Sequence, residues 1–297
     1  MIDSAFRCGT IAIVGRPNVG KSTLMNGLIG QKISITSPKP QTTRHRIHGI
    51  LSLDEAQLVF VDTPGIHLNG GKALNRVMNR TASSALEGVD VVMMLVEAGR
   101  FTDEDARVAQ LIAHVKVPVV LVINKVDKIQ PREKLLPYLA ELGQKVAFTE
   151  SLPISAYDKK HTQLVINTLI KHLPEGEAMF DEDMVTNASS RFLAAEMVRE
   201  KLMRRLEKEI PYGLTVEIEK YEVTPERVII DALILVEREG QKRIVIGESG
   251  GMLKQVGSEA RQDLMRMLDS RVHLQLWVKV KDNWSDDERA LASLGYQ

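Results

Sequence analysis

Short apolar runs and longer amphipathic patterns alternate along the first 172 residues. The apolar runs are rich in Val and Ile, which is typical of strands in a parallel sheet that is buried on both faces. They lie near 10–14, 58–61, 90–96 and 118–123. Helical patterns separate them and lie near 21–30, 72–87, 103–115, 131–142 and 161–172. This alternation predicts a doubly wound, mostly parallel α/β domain.

A hairpin pattern interrupts this alternation between Arg46 and Asp62. The stretch "RIHGILSLDEAQLVFVD" contains two β-like runs separated by a polar turn at Asp54-Glu55. Two strands joined so closely must be antiparallel, because a parallel connection needs a longer crossover. The sequence therefore predicts one antiparallel edge strand in an otherwise parallel sheet.

The pattern changes at the segment 174–189, where Pro, Gly and acidic residues occur without a period. This composition indicates a linker between two domains. Beyond it, the sequence predicts a small α+β domain. Its expected order is a helix at 190–209, two strands, a short extended run before a Gly-rich loop, a helix near 251–268 and a last strand, "VHLQLWVKV". The predicted bounds are 1–173 for the first domain, 174–189 for the linker and 190–297 for the second domain.

Composition adds little to this picture. A chain of 297 residues suggests two domains, and its 39 basic and 39 acidic side chains give no net charge. A nucleic-acid surface would therefore be a local patch. The single cysteine, Cys8, fits a reducing compartment. We expect a cytoplasmic protein, because the start has no signal-peptide pattern and the apolar runs are far shorter than the ~20 residues of a membrane helix.

A phosphate-binding loop is predicted at Gly15–Ser22. Its sequence, "GRPNVGKS", fits G-x-x-x-x-G-K-[ST] between a predicted strand and a predicted helix. Backbone N–H groups and the helix N-terminus would face phosphate oxygens. Lys21 would add a positive charge at the β and γ phosphates, and Ser22 would offer a hydroxyl to Mg²⁺. The predicted nucleotide contacts are Gly15, Arg16, Pro17, Asn18, Val19, Gly20, Lys21, Ser22 and Thr23.

Guanine is the base that the motif "NKVD" indicates. It follows a predicted strand, at the edge where ligands bind in such sheets. The Asp127 carboxylate can accept hydrogen bonds from N1–H and the 2-amino group of guanine, and adenine has no matching pair of donors. Lys125 can lie along the base, and Asn124 can tie this loop to the phosphate loop. After the next strand, Ser155-Ala156 would bring the Ala156 N–H near guanine O6. We therefore predict that the nucleotide is GTP.

A magnesium site is predicted where "DTPG" meets the phosphate loop. A Thr hydroxyl from "QTTRH" could complete the shell, and Thr43 is our first choice, with Thr42 second. The predicted Mg²⁺ ligands are Ser22, Thr43 and Asp62, and Thr63, Pro64 and Gly65 are predicted to contact the nucleotide. The next residue is Ile66, where the signalling GTPases have a Gln that positions the attacking water.

The order and spacing of these motifs resemble the Era family, among the translation-factor-like GTPases, over nearly the whole chain. The resemblance rests on "GRPNVGKS", "QTTRHRIHGI", "DTPG", "NKVD" and "SA", and on the C-terminal "VHLQLWVKVKDNWSDDERALASLGY". It implies a GTPase domain followed by a type II KH domain. It further implies binding to small-subunit ribosomal RNA near its 3′ end, a role in assembling the 30S-type particle, and peripheral inner-membrane association in some members. We expect a monomer.

Asn18 has two interpretations that the sequence leaves open. Its side-chain oxygen could hold K⁺ beside the β and γ phosphates, which would offset the missing water-positioning group at Ile66. The resemblance implies this use of potassium. Alternatively, Asn18 only tolerates a tight turn. On the first interpretation the predicted catalytic residues are Lys21, Asn18 and Thr43, and the enzyme is a slow, Mg²⁺-dependent GTPase stimulated by K⁺.

An RNA-binding loop is predicted at "GESG", residues 247–250. In KH domains a G-x-x-G loop clamps the backbone of four nucleotides. Its middle positions often carry Lys or Arg, whereas this chain has Glu and Ser. Basic residues near the loop or on the preceding helix could compensate. The predicted RNA contacts are Gly247, Glu248, Ser249, Gly250, Lys254, Lys242 and Arg243, and the compensating helix charges are Arg199, Lys201, Arg204 and Arg205.

Three functions fit these observations. The first is a GTP-hydrolysing switch that binds ribosomal RNA, with GTP ordering the segments around 36–46 and 62–72. The second is a GTPase that regulates a membrane or protein partner through the second domain. The third is a nucleotide-gated RNA-binding protein with negligible turnover.

Overall fold

The computed structural model describes residues 5–65 and 72–296 and separates into two compact units. The first unit contains the described residues of 5–34, 43–65 and 75–187, and the second contains 35–42, 72–74 and 188–296. Ile66, whose effect on hydrolysis the sequence left open, lies outside the described residues. Within them, no helix is both long enough and apolar enough to cross a bilayer.

The first unit contains a sheet with helices between its strands, as the sequence predicts. Its strands are β1 (Arg7–Val14), β2 (Ile47–Leu53), β3 (Ala56–Asp62), β4 (Val91–Glu97), β5 (Val119–Asn124) and β6 (Glu150–Pro153). Its helices are α1 (Lys21–Ile29), α2 (Ala73–Ser84, which begins in the second unit), α3 (Asp103–Ile112), α4 (Leu135–Lys145) and α5 (Lys159–His172).

The sheet has the order β2-β3-β1-β4-β5-β6. All neighbouring pairs are parallel except β2 and β3, which form the predicted antiparallel hairpin. The central strands are apolar along their whole length because helices cover both faces, and residues 91–96 of β4 have no exposed surface. Parallel order brings the carboxyl ends of β1, β3, β4 and β5 to one edge, where their loops can form a single site.

The segment predicted as a linker packs along the first unit up to residue 187. The Cys8 N–H donates to the Pro174 carbonyl at 3.1 Å, and the Ile50 N–H donates to the Val185 carbonyl at 2.9 Å. The Gln57 side chain donates to the Phe180 carbonyl at 2.8 Å. These bonds fix residues 174–187 on the β1 and β2 side of the sheet, because two of their donors belong to those strands.

The second unit pairs a three-stranded sheet with helices. Its helices are α6 (Ser190–Arg205), α7 (Glu239–Ile246), α8 (Gly251–Leu268) and α9 (Glu288–Ser293), and its strands are β7 (Leu214–Val223), β8 (Val228–Val236) and β9 (Val272–Val280). The sheet order is β7-β8-β9, with β7 antiparallel and β9 parallel to β8. The core is apolar side chains of α6, α8 and all three strands.

One predicted element of the second unit is wrong. The run "RIVIG" was expected to be extended, because it is β-branched, but it forms the end of α7. The Gln241 side chain accepts the Glu237 and Arg238 N–H groups at 2.9 and 3.2 Å, which caps the start of this helix. Val245 is fully buried in the core, and Gly247 ends the helix with φ 76°. Packing and capping therefore override the local strand propensity.

Candidate nucleotide site and nucleic-acid groove

The phosphate loop connects β1 to α1 through backbone conformations that favour glycine. Gly15 has φ 154° and Gly20 has φ 105°. A Cβ at Gly15 would lie 2.6 Å from the Leu95 carbonyl oxygen, and one at Gly20 would lie 2.4 Å from Asn124 Nδ2. The loop therefore needs both glycines to pass between the end of β4 and the "NKVD" loop.

Lys21 is held inside this loop. Its ammonium donates to the Gly15 and Arg16 carbonyls at 2.9 and 3.1 Å, and 7 % of the residue is exposed. Burial lowers the Lys21 pKa to about 8, although the nearby Asp62 carboxylate acts in the opposite direction. A triphosphate beside the ammonium would favour its charged form, because an opposite charge stabilises the ion. The side chain is thus placed for the phosphate role that the motif predicts.

Four oxygen-bearing side chains meet beside the phosphate loop. The Asp62 carboxylate accepts from the Ser22 and Ser34 hydroxyls at 2.8 and 2.9 Å, and Ser22 Oγ lies 2.8 Å from Thr43 Oγ1. Burial raises the pKa of Asp62, while Lys21 and these hydroxyls oppose the shift. Asp62 Oδ1 is buried and has no hydrogen-bond partner among the described residues. Mg²⁺ is a hard cation that prefers oxygen ligands. The hydroxyl oxygens and the unpartnered carboxylate oxygen of this cluster therefore suit a Mg²⁺ site.

The structure separates the two threonines that the sequence offered for the metal. Thr43 lies in the oxygen cluster, 3.4 Å from Asp62 through its hydroxyl. The Thr42 hydroxyl instead donates to the Lys39 carbonyl at 2.7 Å. The geometry therefore favours Thr43, the first choice, as the residue that could meet the metal.

The rest of "DTPG" closes against the phosphate loop. The buried Thr63 hydroxyl donates to the Ile13 carbonyl at 2.8 Å. A Cβ at Gly65 would lie 2.8 Å from the Pro17 nitrogen, so this contact admits only glycine without a shift. Pro64 is also buried. The motif therefore lies against the loop that would hold the phosphates.

Asn124 connects the predicted base loop to the phosphate loop. Its Nδ2 donates to the Val19 carbonyl at 2.8 Å, and its Oδ1 accepts the Lys125 and Ala156 N–H groups at 2.8 and 3.0 Å. The Lys125 ammonium donates to the Asn18 carbonyl at 2.8 Å. The Ala156 N–H already donates to Asn124 Oδ1. The predicted hydrogen bond from this N–H to guanine O6 would therefore either be shared with Asn124 or replace the bond to Asn124.

A cavity of about 660 Å³ opens beside this loop. Asp127 is exposed and lines the cavity, as does Ser155 on the loop after β6. The cavity therefore has in its lining one predicted site residue from each of two separate loops. Its lining consists of Val126, Asp127, Ile129, Leu135, Pro153, Ser155, Tyr157, Asp158, Lys159 and His161.

Two acidic residues of the site were missed in the sequence. Glu97, at the carboxyl end of β4, lies 2.7 Å from the Arg16 guanidinium and 3.2 Å from the Lys125 ammonium. Asp105 lies 3.0 Å from Arg16 Nε. The Arg16 side chain therefore faces two carboxylates, and the predicted nucleotide contact of this residue would come from its backbone. An acidic residue at the end of a buried apolar strand was the signal available for Glu97.

The remaining predicted contacts of the phosphate loop include Asn18, Val19 and Thr23. Asn18 has φ 62°, a left-handed conformation that Asn tolerates better than most residues, and this supports the turn interpretation without testing the potassium role. Thr23 is half-buried in the first turn of α1. Val19 is fully buried, so its side chain supports the loop, and only its backbone N–H would face a phosphate because its carbonyl accepts from Asn124.

The second unit has a groove of about 480 Å³ between α8 and β9. Gly250 lies at one end of it, and the "GESG" turn has left-handed backbone at Gly247, Ser249 and Gly250. A Cβ at Gly247 would lie 2.6 Å from Met252 Cβ. Glu248 and Ser249 are exposed on the loop. The groove is lined by Gly250, Leu253, Lys254, Gly257, Ser258, Arg261, Leu274 and Leu276, and of these only Gly250 and Lys254 were predicted from the sequence as RNA contacts.

The cations in the lining of this groove are Lys254, which was predicted, and Arg261, which was not; the predicted Lys242 and Arg243 are not part of the lining. Lys254 and Arg261 are exposed on α8, where they line the groove. Arg243 is exposed and Lys242 is half-buried, 3.9 Å from Glu239.

The predicted compensation by the α6 charges is wrong for Arg199 and Lys201, because both are buried. Arg199 is 1 % exposed and pairs with Glu196 at 2.6 Å. Arg204 pairs with the buried Glu200 at 3.0 Å. Lys201 is buried against Glu200 and Asp263, and Arg205 binds Glu259. These cations neutralise acidic residues of the second unit and do not line the groove.

The first unit combines a phosphate loop, an oxygen cluster suited to Mg²⁺ and an "NKVD" loop, which defines the class of P-loop GTPases. A 50S ribosome-binding GTPase family matches residues 10–125, and a KH-domain family matches residues 209–285.

Full-length relatives define the family more narrowly. GTPase Era of Pseudomonas savastanoi pv. phaseolicola is 53% identical over 293 residues, covering 99% of this chain and 98% of that protein. GTPase Era of Pseudomonas aeruginosa is 54% identical over 295 residues, covering 99% and 97%. A crystal structure of Era in complex with MgGDPNP and nucleotides 1506–1542 of 16S ribosomal RNA has a TM-score of 0.94 at 41% identity and covers 98% of this chain and 99% of that one. The chain belongs to the Era family of GTPases, and the resemblance drawn from its motifs is confirmed.

Proposed function

We propose that this protein is a GTP-driven switch that binds small-subunit ribosomal RNA near its 3′ end and assists assembly of the small subunit. The observation that carries the proposal is the full-length likeness to an Era structure that holds MgGDPNP and 16S ribosomal RNA nucleotides 1506–1542. In this proposal the buried oxygen cluster of the first unit would hold the metal-bound nucleotide, and the α8–β9 groove of the second unit would hold the RNA. GTP hydrolysis would then time RNA release.

The predicted residues have separate roles in this proposal. Ser22, Thr43 and Asp62 would hold Mg²⁺, which would neutralise charge on the phosphates. Lys21 would meet the β and γ phosphates, and Asp127 would read guanine. We assign these roles to the domain 1–173 and RNA binding to the domain 190–297.

Potassium is the finer part of the proposed chemistry. A cation held by Asn18 would supply the charge that an arginine finger supplies in other GTPases. Phosphate release should be faster in KCl than in NaCl, and Asn18→Ala, which removes the side-chain oxygen, should lose that difference. Equal rates of the native protein in both salts would remove the cation and leave Asn18 as a turn residue.

Communication between the nucleotide and the second unit would pass through residues 35–42. Within the second unit, the Thr36 N–H donates to Glu200 Oε1 at 2.9 Å, and the Arg204 guanidinium donates to the Thr36 carbonyl at 3.0 Å. Arg199 donates to the Thr42 carbonyl. The next residue, Thr43, belongs to the oxygen cluster. We propose that binding of a metal-bound nucleotide at Thr43 changes the hydrogen bonds between α6 and residues 35–42.

RNA binding is tested with a fragment equivalent to nucleotides 1506–1542. Arg261→Ala and Lys254→Ala should each weaken binding and reduce the slope of affinity against salt by about one. Arg266→Ala is the matched control, because Arg266 is exposed on the same helix but does not line the groove. Unchanged RNA affinity in both groove variants would favour the alternative, a protein-interaction adaptor.

The remaining partner assignments are also proposals. We propose a cytoplasmic monomer that acts on the 30S-type particle and associates peripherally with the inner membrane. Analytical ultracentrifugation checks the monomer, and co-sedimentation with 30S particles and with salt-washed membranes checks the two partners separately. Binding to membranes alone would support the adaptor function.

A further inference from the structure

His161 lies in the first turn of α5, next to the loop that is proposed to contact guanine. Its Nδ1 accepts a hydrogen bond from the Ser155 N–H at 3.1 Å. The same nitrogen lies 3.6 Å from Asp158 Oδ2. Ser155 is buried, whereas the His161 side chain is 34% exposed. One ring nitrogen therefore faces both a backbone donor and a carboxylate acceptor.

The charge of the imidazole decides which of these partners it can use. Nδ1 accepts the Ser155 N–H only in the neutral form with its proton on Nε2. When the ring is protonated, both nitrogens become donors, so Nδ1 can no longer accept. The Asp158 carboxylate is then the nearby acceptor, and the buried Ser155 N–H is left without its partner.

The position of Ser155 links this bond to base recognition. Ser155 lines the same cavity as Asp127, and the following residue, Ala156, is held by Asn124 at 3.0 Å. The loop is thus fixed from one side by Asn124 and from the other by His161. The other charged or titratable groups at this cavity are Asp127, Tyr157, Asp158 and Lys159.

We propose that His161 is a positioning residue for guanine-nucleotide binding, which in its neutral form fixes the Ser155-Ala156 loop. The proposal rests on the guanine site proposed above. When His161 is protonated, its Nδ1 donates to Asp158 and no longer accepts from the Ser155 N–H. The loop then loses this contact, and nucleotide binding weakens. The residue thereby makes affinity for GTP and GDP depend on whether its imidazole carries the second proton.

The test measures affinity of the full-length protein for fluorescent GDP with Mg²⁺, from about pH 7.5 to about pH 5.5. His161→Asn keeps an acceptor oxygen close to the Nδ1 position and has no charge to gain. His161→Leu removes the acceptor. Gln163→Leu is the matched control, because Gln163 is exposed on the same helix and its side chain donates to Asn167 Oδ1 at 2.9 Å.

At about pH 7.5, His161→Asn and Gln163→Leu should bind like the native protein, and His161→Leu should bind about tenfold more weakly. On acidification the native protein should lose about tenfold relative to His161→Asn. Protonation of the ligand cancels in that ratio. Thermal unfolding of each variant separates loss of the loop contact from loss of the fold.

Two results would overturn the proposal. One is equal affinity of His161→Leu and His161→Asn, and the other is a ratio of native to His161→Asn affinity that does not change with pH. Asp127→Asn, measured beside them with GTP and XTP, reports on the guanine site itself. If that variant prefers XTP while the histidine variants show no effect, the guanine site stands and the His161 role fails.

Discussion

The nucleotide site and the α8–β9 groove differ in how far their polar side chains are buried and held by other residues. In the first unit, buried polar groups hold neighbouring loops together, and Asn124 connects three of these loops by bonding Val19, Lys125 and Ala156. In the second unit, the groove is shallow, and its polar side chains Lys254, Ser258 and Arg261 are exposed. A ligand with fixed phosphate and base geometry requires a preorganised site, whereas single-stranded RNA needs shape and a few charges. Substitutions should therefore have large effects in the first site and small, graded effects in the second.

The largest expected effect is at Lys21. Lys21→Ala removes the ammonium that the phosphate loop encloses, so GTP hydrolysis should fall by at least about 100-fold. Phosphate release with saturating GTP and Mg²⁺ measures this effect. Lys128→Ala is the control, because Lys128 is exposed after the "NKVD" loop. A Lys21→Ala variant with near-native turnover would show that the enclosed cation is dispensable.

Asp127→Asn should change the base that the site accepts. The amide donates where the carboxylate accepted, so GTP affinity should fall by about 100-fold and XTP affinity should rise. Competition between the two nucleotides measures the change. Asp54→Asn serves as a control, because Asp54 is exposed on the turn between β2 and β3 and does not line this cavity. Unchanged GTP affinity in Asp127→Asn would contradict the assignment of guanine recognition to this residue.

Glu97→Ala tests whether the missed carboxylate joins the two halves of the nucleotide site. It leaves Asp105 as the carboxylate paired with Arg16 and removes the ion pair of Lys125, so GDP affinity should fall about tenfold and the free energy of unfolding by about 1–3 kcal/mol. Isothermal titration and urea unfolding measure the two quantities. Glu141→Ala removes an exposed ion pair with Lys145 and should change either quantity little. Equal effects of the two substitutions would contradict the bridging role.

The smallest expected effect is at His48, on the edge strand β2. Burial and the nearby Arg46 charge lower the pKa of His48 in the folded protein. The unfolded chain therefore binds the proton at a higher pH than the folded chain, so stability is full above the unfolded pKa and falls on acidification. Between about pH 7 and pH 5 the loss should be a few tenths of a kcal/mol, since the ring is partly solvated. Urea unfolding of His48→Gln should lack this component, and an identical pH profile would contradict it.

The same contrast explains what the sequence could predict. The residues of "GRPNVGKS" and "NKVD" are prescribed by ligand geometry, so their positions beside one another follow from the motif and the parallel sheet. Only the structure distinguishes Thr43 from Thr42 as the candidate Mg²⁺ ligand, because the two threonines are adjacent in the motif and either one fits its spacing. Glu97 was missed because its role depends on Arg16 and Lys125, which approach it from two different loops.

The second unit was harder to predict. Strand and helix periods identified β7, β8, α8 and β9, but "RIVIG" has strand propensity and forms a helix because Gln241 caps its start and Val245 enters the core. Groove residues such as Gly257 and Leu274 have no motif, since a shape-based site only needs small and apolar positions at the correct places. The α6 charges were assigned to RNA because sequence alone does not show their acidic partners.

The most direct test of the account compares RNA affinity in two nucleotide states. The full-length protein would be titrated with the 16S ribosomal RNA fragment in the presence of Mg²⁺ and either a non-hydrolysable GTP analogue or GDP, at low and at physiological salt. The account predicts salt-sensitive binding that is at least about fivefold tighter with the GTP analogue, which is the usual lower range of allosteric coupling. Equal affinity in the two states would contradict a switch, and absence of binding in both would contradict an RNA-binding role for the α8–β9 groove.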